Sequence, residues 1–304
     1  MTEESSHTIT PHQQKMNQLG LEDYDLFKIA FNETVHFTTA LSAKYAKNKI
    51  SDERTFLLRS ITRMTNLMRS VYVLFKTTKD QASMMILARS IIDLNAIVCF
   101  LFQYVRDDNE RALRIHLFYL DAVRTRLKIS EPPKERDPNY ISEEEYNATL
   151  AQMVEAKKAD MEAEVELVRL IQASPLYPRM HPSILQNASW KYKKIDGKKS
   201  YSLTELYEIA SGDKRMARFE QEFLSHYVHG IGISDFQFPV IQETNPTFAL
   251  TICCSILHHM GPIIKDWFPE DYEELEDSFK PKLAKYIIDG MTPEMLEAYL
   301  KESD

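Results

Sequence analysis

The sequence predicts an all-α protein, a multi-helix bundle, and three observations support this. The chain has 304 residues but only 7 glycines, about a third of the usual share of roughly 7%. Because tight turns and phosphate-binding loops depend on glycine, this composition disfavours Rossmann, P-loop and β-sandwich folds. Apolar residues recur at helical spacing along most of the chain, and no segment keeps the alternation of a strand.

The predicted helices follow one another with breaks at proline, serine and glycine. Residues 1–18 lack periodicity and are predicted to be a flexible tail, whereas residues 19–304 are predicted to form a single helical domain. The predicted helices span residues 22–47, 52–77, 81–106, 109–129, 142–173, 202–212 and 213–229, and helices resume at 246 with a kink at 261–262 and two short closing helices.

Several residues mark the helix ends. Two Ser-x-x-Glu capping boxes precede apolar runs, where the serine and glutamate bond each other's backbone N–H. Glycines follow two of the helices, where a left-handed residue is favoured. The residues that give these signals are Ser51 as an N-cap, the pairs Ser142–Glu145 and Ser202–Glu205, and the terminating Gly212 and Gly230.

The third predicted helix is apolar on nearly all faces. From Met84 to Phe102, 15 of 19 residues are apolar, which approaches the length of a membrane span. Arg89 and Asp93 lie inside this run, however, and each costs roughly 2.5–3.5 kcal/mol at a bilayer centre. The middle of a soluble bundle needs the same kind of helix. We therefore expect a buried core helix and no membrane contact.

The charge and cysteine patterns bear on partners and compartment. The net charge is −8 and the pI about 5.7, so no global attraction to nucleic acid or an anionic membrane is expected, although a local basic patch is compatible with it. The three cysteines lie in apolar runs, and the polar N-terminus lacks the features of a signal peptide. A reducing, cytoplasmic location is expected, and no cofactor motif is present.

Arg89 and Asp93 form the first candidate site. They are four residues apart, so they share one face of the most apolar helix. Buried charges must be paired or heavily hydrogen-bonded, because an isolated buried charge is very costly. Two interpretations follow: an internal ion pair that fixes the packing of the helix, or two catalytic residues.

The run EFLSHYVHG holds the second candidate site. Ser225 and His229 are four residues apart and His226 and His229 are three apart, so these side chains share a side of a helix. A histidine there could act as a general base, because its ordinary pKa of about 6.5 lies near neutrality. Alternatively, the histidines stabilise a helix C-terminus, where the dipole favours a cation.

A metal site is the weakest of the chemical alternatives. His258 and His259 are neighbours on an apolar helix, so they cannot both face one ion. One of them could join Asp93 and a histidine of the EFLSHYVHG run, since such ligands suit several transition metals. No HExxH or ExxH spacing is present, and no metal is predicted.

The segment WKYKKIDGKKSY interleaves lysines with aromatic residues. Cations next to aromatic faces can hold phosphates and stack bases, so RNA is one partner to consider. The alternative is a solvated, lysine-rich loop whose aromatic residues point inward. The residues proposed for binding are Trp190, Lys191, Lys193, Lys194 and His226, with Lys198, Lys199, Tyr192 and Tyr201 in the same segment.

Taken together, these motifs resemble domain of unknown function 5677 (DUF5677), a family of bacterial helical proteins. The resemblance rests on ARSIID in the apolar helix, Trp190, the capped helix SLTELYEIAS and FLSHYVHG, and it covers residues 50–260. It implies an α-helical bundle in which the Arg89–Asp93 pair and the Ser225–His229 pair meet in the interior. Asp93 stands where the family more often has glutamate.

A more distant similarity is to HEPN proteins, helical dimers that include ribonucleases. Their signature is Arg-polar-x-x-x-His. Ser225 and His229 match the polar and histidine positions, but Leu224 stands in place of the arginine, which argues against nuclease activity.

Three functions are therefore considered. The first is a non-enzymatic interaction module of a bacterial stress or defence system, with a protein partner or a second copy as its ligand. The second is a HEPN-like ribonuclease, in which His229 takes the proton of a ribose 2′-hydroxyl, Arg89 stabilises the phosphorane and the lysine segment guides RNA. The third is a metal-dependent hydrolase.

Overall fold

The chain folds into helices. The computed structural model describes residues 23–45, 52–130, 136–137, 139–228, 248–274 and 277. Most of these residues are helical and none of them lies in a strand, so the predicted all-α class is confirmed. The predicted tail over residues 1–18, Gly230 and most of the region after residue 274 lie outside the described residues.

The helices have the following bounds. They are α1 (Asp23–Tyr45), α2 (Glu53–Thr77), α3 (Gln81–Cys99), α4 (Asp108–Ile129), α5 (Glu143–Gln172), α6 (Pro182–Gln186), α7 (Leu203–Ser211), α8 (Lys214–Val228) and α9 (Phe248–Trp267). A π-helical turn, Phe100–Tyr104, follows α3, and a 3-10 turn, Tyr177–Arg179, precedes α6.

The chain forms two compact units, each with most of its residue contacts within itself. Unit 1 comprises Met1–Lys47, Leu57–Asn95 and Arg218–Asp304, and unit 2 comprises Asn48–Phe56 and Ala96–Ala217. The single domain predicted for residues 19–304 stays a prediction, and each unit has its own core.

Unit 1 buries the apolar faces of its helices. α1 packs against α9, and Lys44 and Tyr45 at the end of α1 both bond Asp271, at 2.6 and 3.1 Å. α9 continues through Pro262 to Trp267, and its predicted start at Pro246 lies outside the described residues. Buried side chains of this core include Leu57, Ile61, Met64, Met68, Val71, Met84, Met85, Ile91, Leu224, Cys253, Ile256 and Met260.

Unit 2 is built on an antiparallel pair, α4 and α5. Arg124 of α4 pairs with Glu164 at 2.7 Å, and Arg126 pairs with Asp160 at 2.5 Å. The paired residue on α5 has a lower number for the later residue of α4, so the two helices are antiparallel. Buried side chains of this core include Phe56, Phe100, Leu101, Leu113, Ile115, Leu117, Leu120, Leu167, Ile171, Ile184, Tyr192, Leu206 and Tyr207.

Most of the predicted helix ends within the described residues are confirmed, and the cap of α2 is corrected. Both capping boxes form, and Gly212 ends α7 with a left-handed φ of 69°. The residue that caps α2 is Asp52 and not Ser51, because the Asp52 carboxylate accepts from the Thr55 N–H at 2.9 Å. A carboxylate next to the helix start also interacts favourably with its dipole.

The third predicted helix ends earlier than expected. It runs as an α-helix only to Cys99, and the next five residues form a π-turn closed by a hydrogen bond from the Val105 N–H to the Phe100 carbonyl. Asp107 then caps α4 by accepting from the Glu110 N–H at 2.7 Å. This cap starts a new helix, so the backbone cannot continue as one helix to residue 106. π-turns often occur at functional sites.

Candidate ligand-binding site

The lysine-rich segment of unit 2 folds as a short hairpin. Tyr192 and Ser200 form an antiparallel bridge, with hydrogen bonds from the Lys193 N–H to the Lys199 carbonyl at 2.8 Å and from the Tyr201 N–H to the Lys191 carbonyl at 2.7 Å. This register puts Lys193 opposite Lys199. We call residues 190–201 the lysine hairpin.

Arg114 of α4 anchors the base of the lysine hairpin. Its guanidinium donates to the Trp190 carbonyl at 2.8 Å and lies over the Tyr192 ring, with Cζ 3.7 Å from the centroid. Glu110 holds the other side of the guanidinium, with Oε1 2.6 Å from Nη2. Arg114, Trp190 and Tyr192 are all buried, so the charge of Arg114 is satisfied inside the unit.

The tip of the lysine hairpin is fixed as well. The His181 N–H donates to the Ile195 carbonyl at 2.8 Å, just before α6, and a turn is closed by the Gly197 N–H and the Lys194 carbonyl at 3.0 Å. With its base held by Arg114 and its tip held by His181, the hairpin presents its lysines from a fixed backbone.

The lysines have different surroundings. Lys191 is half-buried, with Nζ 5.5 Å from the Trp190 centroid. Lys193 pairs with Glu205 of the α7 capping box and lies over the Tyr201 ring at 5.2 Å. Three more lysines are exposed and, within the described residues, pair with no carboxylate. These are Lys194, Lys198 and Lys199.

The ion pair with Lys193 perturbs Glu205. The Lys193 ammonium and the Ser202 N–H both donate to its carboxylate, and they lower the pKa of Glu205 to about 2. Glu205 is therefore fully charged at neutral pH, which keeps the hairpin joined to the start of α7.

Two tyrosines extend the surface of the lysine hairpin. Tyr104, from the π-turn, and Tyr201 hydrogen-bond through their hydroxyls at 3.0 Å, and their rings meet edge to face at 6.1 Å between centroids. Burial and the neighbouring Tyr104 hydroxyl raise the pKa of Tyr201 to about 12. The Tyr201 hydroxyl is therefore neutral at physiological pH and keeps its hydrogen bond with Tyr104.

The sequence-predicted binding residues have mixed outcomes in the structure. Trp190 is buried and serves as an anchor, so its ring is not offered to a ligand. Lys193 and Lys194 are exposed, and Lys191 is half-buried. His226 lies in α8, but its side chain is outside the described residues.

The predicted catalytic pair on α3 is partly buried. Arg89 and Asp93 approach each other at 3.7 Å between Nη2 and Oδ1, with Arg89 buried and Asp93 more exposed. This distance is too long for a hydrogen bond. Both residues belong to unit 1.

Of the second predicted catalytic pair, the structure describes only Ser225, which lies near the end of α8 in the same unit. Ser225 is half-buried in α8, and His229 lies outside the described residues. Gln81, at the start of α3, bonds the Tyr227 hydroxyl at 3.4 Å. Since Arg89 lies eight residues after Gln81, it is about 12 Å further along α3. A shared site of Arg89, Ser225 and His229 therefore stays a prediction.

Neither a metal cluster nor a disulfide is found in the described part of the chain. No group of three or more His, Cys, Asp or Glu side chains there is arranged to hold a metal ion. Cys99, Cys253 and Cys254 form no disulfide, and burial raises the pKa of Cys99 to about 12. A buried thiol with a raised pKa is a poor nucleophile.

Two residues of the lysine-hairpin surface could not be identified from the sequence. Glu110 and Arg114 have the acid-before-base spacing of an ordinary ion pair on a helix surface, and this spacing gives no sign that Arg114 is buried beneath the hairpin. Tyr104 could not be identified because it lies in the helix predicted to run to residue 106, and its contact with Tyr201 joins residues 97 positions apart.

Comparison of the chain with protein-family models, with curated proteins and with solved structures finds no match. The resemblance to DUF5677 and to HEPN proteins stays a prediction.

Two helical stretches in the described residues are long and apolar enough to cross a membrane. They are Gln81–Tyr104 and Phe248–Trp267, with 67% and 44% of their most apolar windows buried within the protein. Core helices of soluble proteins pass the same test of length and composition, so this is weak evidence for a membrane protein. The absence of membrane contact expected from Arg89 and Asp93 stays a prediction.

Proposed function

We propose that this protein is a binding module and that its lysine hairpin holds a polyanionic ligand. The observation that carries the proposal is the placement of Lys194, Lys198 and Lys199, which are exposed on a hairpin held at its base and its tip. Lysines bind phosphates by Coulomb attraction and by release of the counterions around the polyanion. A backbone that is already fixed loses little conformational entropy on binding.

The charge pattern of the lysine hairpin also supports this proposal. Lys193 is paired with Glu205, which leaves Lys194, Lys198 and Lys199 as the exposed cations of the hairpin. Residues 190–201 contain five lysines and one aspartate, in a chain of net charge −8. Since acid predominates elsewhere, a polyanion is attracted to the hairpin and repelled from most other surfaces.

Removal of two hairpin lysines tests the proposal. We expect Lys198→Ser/Lys199→Ser to weaken binding of fluorescein-labelled oligouridylate and of inorganic polyphosphate about ten- to thirtyfold at low salt. Two contacts of about 1 kcal/mol each account for this range. For the oligonucleotide, the slope of log K against log salt should fall by about 1.4, since each single-strand phosphate contact contributes about 0.7.

The matched control is Lys128→Ser/Lys214→Ser, which removes the same charge from exposed positions of α4 and α8, outside both the lysine hairpin and the apolar stripe of α5. This control should bind both probes as the wild type does. Failure of the wild type to bind either probe at low salt would refute the proposal, and so would equal losses in the two double variants, because the effect would then be one of net charge.

We propose self-association as a second candidate function, on the evidence of an apolar stripe on α5. Val154, Met161 and Val165 are 62%, 56% and 71% exposed, and their spacings of seven and four residues place them on one side of the helix. The face of α5 that packs on α4 carries the ion pairs of Asp160 and Glu164. The stripe is therefore a separate face, and apolar surface of this kind favours a protein partner.

A second copy of α5 fits this stripe. Two antiparallel α5 helices, related by a two-fold axis between residues 159 and 160, place Val154 opposite Val165 of the second copy. The same axis places Lys158 beside Glu162 of the second copy, and it does so twice because the contact is symmetric. Charge complementarity thus supports a second copy as the protein partner.

The ribonuclease hypothesis stays a prediction because its general base, His229, lies outside the described residues. The metal-dependent hydrolase and the place in a bacterial stress or defence system also stay predictions, since no observation described above favours them.

A further inference from the structure

The exposed ring of Tyr104 is the feature that goes beyond charge at the lysine hairpin. Tyr104 is 50% exposed, and its ring is stacked on that of Phe100 with centroids 5.7 Å apart and planes 20° apart. Phe100 itself is fully buried. Phe100 packs against the Tyr104 ring on the inner side, and half of the surface of Tyr104 remains exposed to solvent.

The π-turn carries both rings. Phe100 and Tyr104 are its first and last residues, and side chains four residues apart lie on the same side of a helical turn. The outer ring is thus held by the inner one and by the hydroxyl of Tyr201 at 3.0 Å. A ring held on two sides is a fixed platform for stacking.

The platform is continuous with the lysines. Tyr104 meets Tyr201 edge to face, and the Lys193 ammonium lies 5.2 Å from the Tyr201 centroid. Lys193 in turn lies across the hairpin from Lys199. The surface therefore runs from an exposed aromatic face to a row of cations.

We infer that the ligand is a single-stranded nucleic acid, one of whose bases stacks on Tyr104 while the adjacent phosphates lie along the lysine hairpin. This inference rests on the proposed polyanion binding and adds the chemical class of the ligand. Aromatic faces with neighbouring cations are the means by which proteins bind single strands without reading sequence. A duplex cannot use such a face, because its bases are stacked on each other.

Four carboxylates near this surface have partners within the protein. Glu205 pairs with Lys193, and Asp107 caps α4. Asp108 pairs with Arg111, and Glu110 pairs with Arg114. These interactions offset the negative charge that would otherwise repel a phosphate next to Tyr104.

The test compares two probes of equal charge. One is a fluorescein-labelled oligouridylate or oligothymidylate of about 12 nucleotides, and the other is a strand of the same length with abasic sugars throughout. We expect the wild type to bind the strand with bases about ten- to a hundredfold more tightly, in the range measured for one stacked base. Whichever of oligouridylate and oligothymidylate binds more tightly identifies RNA or DNA as the natural ligand.

Variants of Tyr104 then assign the preference to the ring. Tyr104→Leu should bring binding of the two probes to near parity while leaving binding of the abasic strand unchanged. Tyr104→Phe should keep the preference, because it retains the ring and loses only the hydroxyl. Tyr140→Leu is the control, since it removes another exposed tyrosine of unit 2.

The outcomes separate this inference from the proposed function. Equal binding of both probes by the wild type overturns the stacking inference and leaves polyanion binding in place. A preference for bases that survives in Tyr104→Leu overturns the role of Tyr104. Binding of polyphosphate but of neither strand overturns the nucleic-acid inference alone, and failure to bind polyphosphate as well refutes the proposed function itself. Circular dichroism of each variant establishes that its helices are intact.

Discussion

A single carboxylate, Glu205, joins the lysine hairpin to the helix that follows it. It accepts hydrogen bonds from the Lys193 ammonium and from the Ser202 N–H, and these lower the pKa of Glu205 from its usual 4.5 to about 2. Because the folded-state pKa lies below the unfolded one, the stabilisation is complete above pH 4.5 and is lost as the pH falls toward 2.

We expect Lys193→Met to raise the pKa of Glu205 toward 4.5, since the largest cause of the shift is removed. The Ser202 N–H remains, so the pKa should stay somewhat below that value. Carboxyl NMR titration measures it, with Glu205→Gln to assign the signal. Lys199→Met is the control because it removes the same charge from across the hairpin. An equal rise in both variants would show that the general field of the lysines, and not the contact, sets the pKa.

At this scale the sequence predicts what is local. The capping box of Ser202 and Glu205 could be recognised because its two residues are three apart in one helix. The pair of Lys193 and Glu205 could not, because it depends on the register of a hairpin that the sequence does not reveal. For the same reason Trp190 was proposed as a binding residue although it is buried.

At the scale of elements, α4 is the helix that positions the lysine hairpin. Its predicted bounds agree with the observed ones to within one residue. The sequence could not show that Arg114 is buried, since the residues that cover it, Trp190 and Tyr192, are more than 70 positions away in the chain. Apolar periodicity identifies the face of a helix that is buried, but not the partner that buries it.

Loss of Arg114 should destabilise unit 2. We expect Arg114→Met to lower the free energy of unfolding by about 3 kcal/mol, because the variant leaves Glu110 and the Trp190 carbonyl without their donor. Arg126→Met is the matched control, since Arg126 is an exposed residue of the same helix paired with Asp160. Its cost should be at most about 1 kcal/mol.

Chemical denaturation measures both values for Arg114 and Arg126. The double variant Arg114→Met/Glu110→Gln should recover part of the loss, because it removes the unpaired carboxylate as well. Similar destabilisation by the two single variants would contradict the assignment of Arg114 as the anchor of the lysine hairpin.

At the scale of the whole molecule, the sequence predicts the fold class but not the division of the chain into two units. The scarcity of glycine and the helical periodicity are properties of the entire chain, and they were sufficient for the all-α class. The division into two units was not visible, because no proline-rich or glycine-rich linker marks it and unit 1 draws on three separate stretches of sequence. Compact units of this kind depend on contacts between distant segments.

Association of whole molecules through α5 gives the last prediction. The proposed contact places Lys158 of one copy beside Glu162 of the other, twice. Lys158→Glu should therefore weaken the dimer about three- to tenfold, which corresponds to roughly 1 kcal/mol. The charge-swapped variant Lys158→Glu/Glu162→Lys should restore it. Sedimentation equilibrium over a range of protein concentrations measures each dissociation constant.

A substitution in the apolar stripe of α5 should disrupt the dimer more strongly than Lys158→Glu, and it has a matched control. Val165→Asp places a charge in the proposed interface and should leave a monomer, because a charge buried there lacks a partner. Val73→Asp makes the same substitution at another exposed valine, on α2, and should not change the association. A protein that is monomeric at every concentration, or a dimer that survives Val165→Asp, would contradict self-association through α5. A dimer has two lysine hairpins, so we expect it to bind a long polyanion with increased avidity.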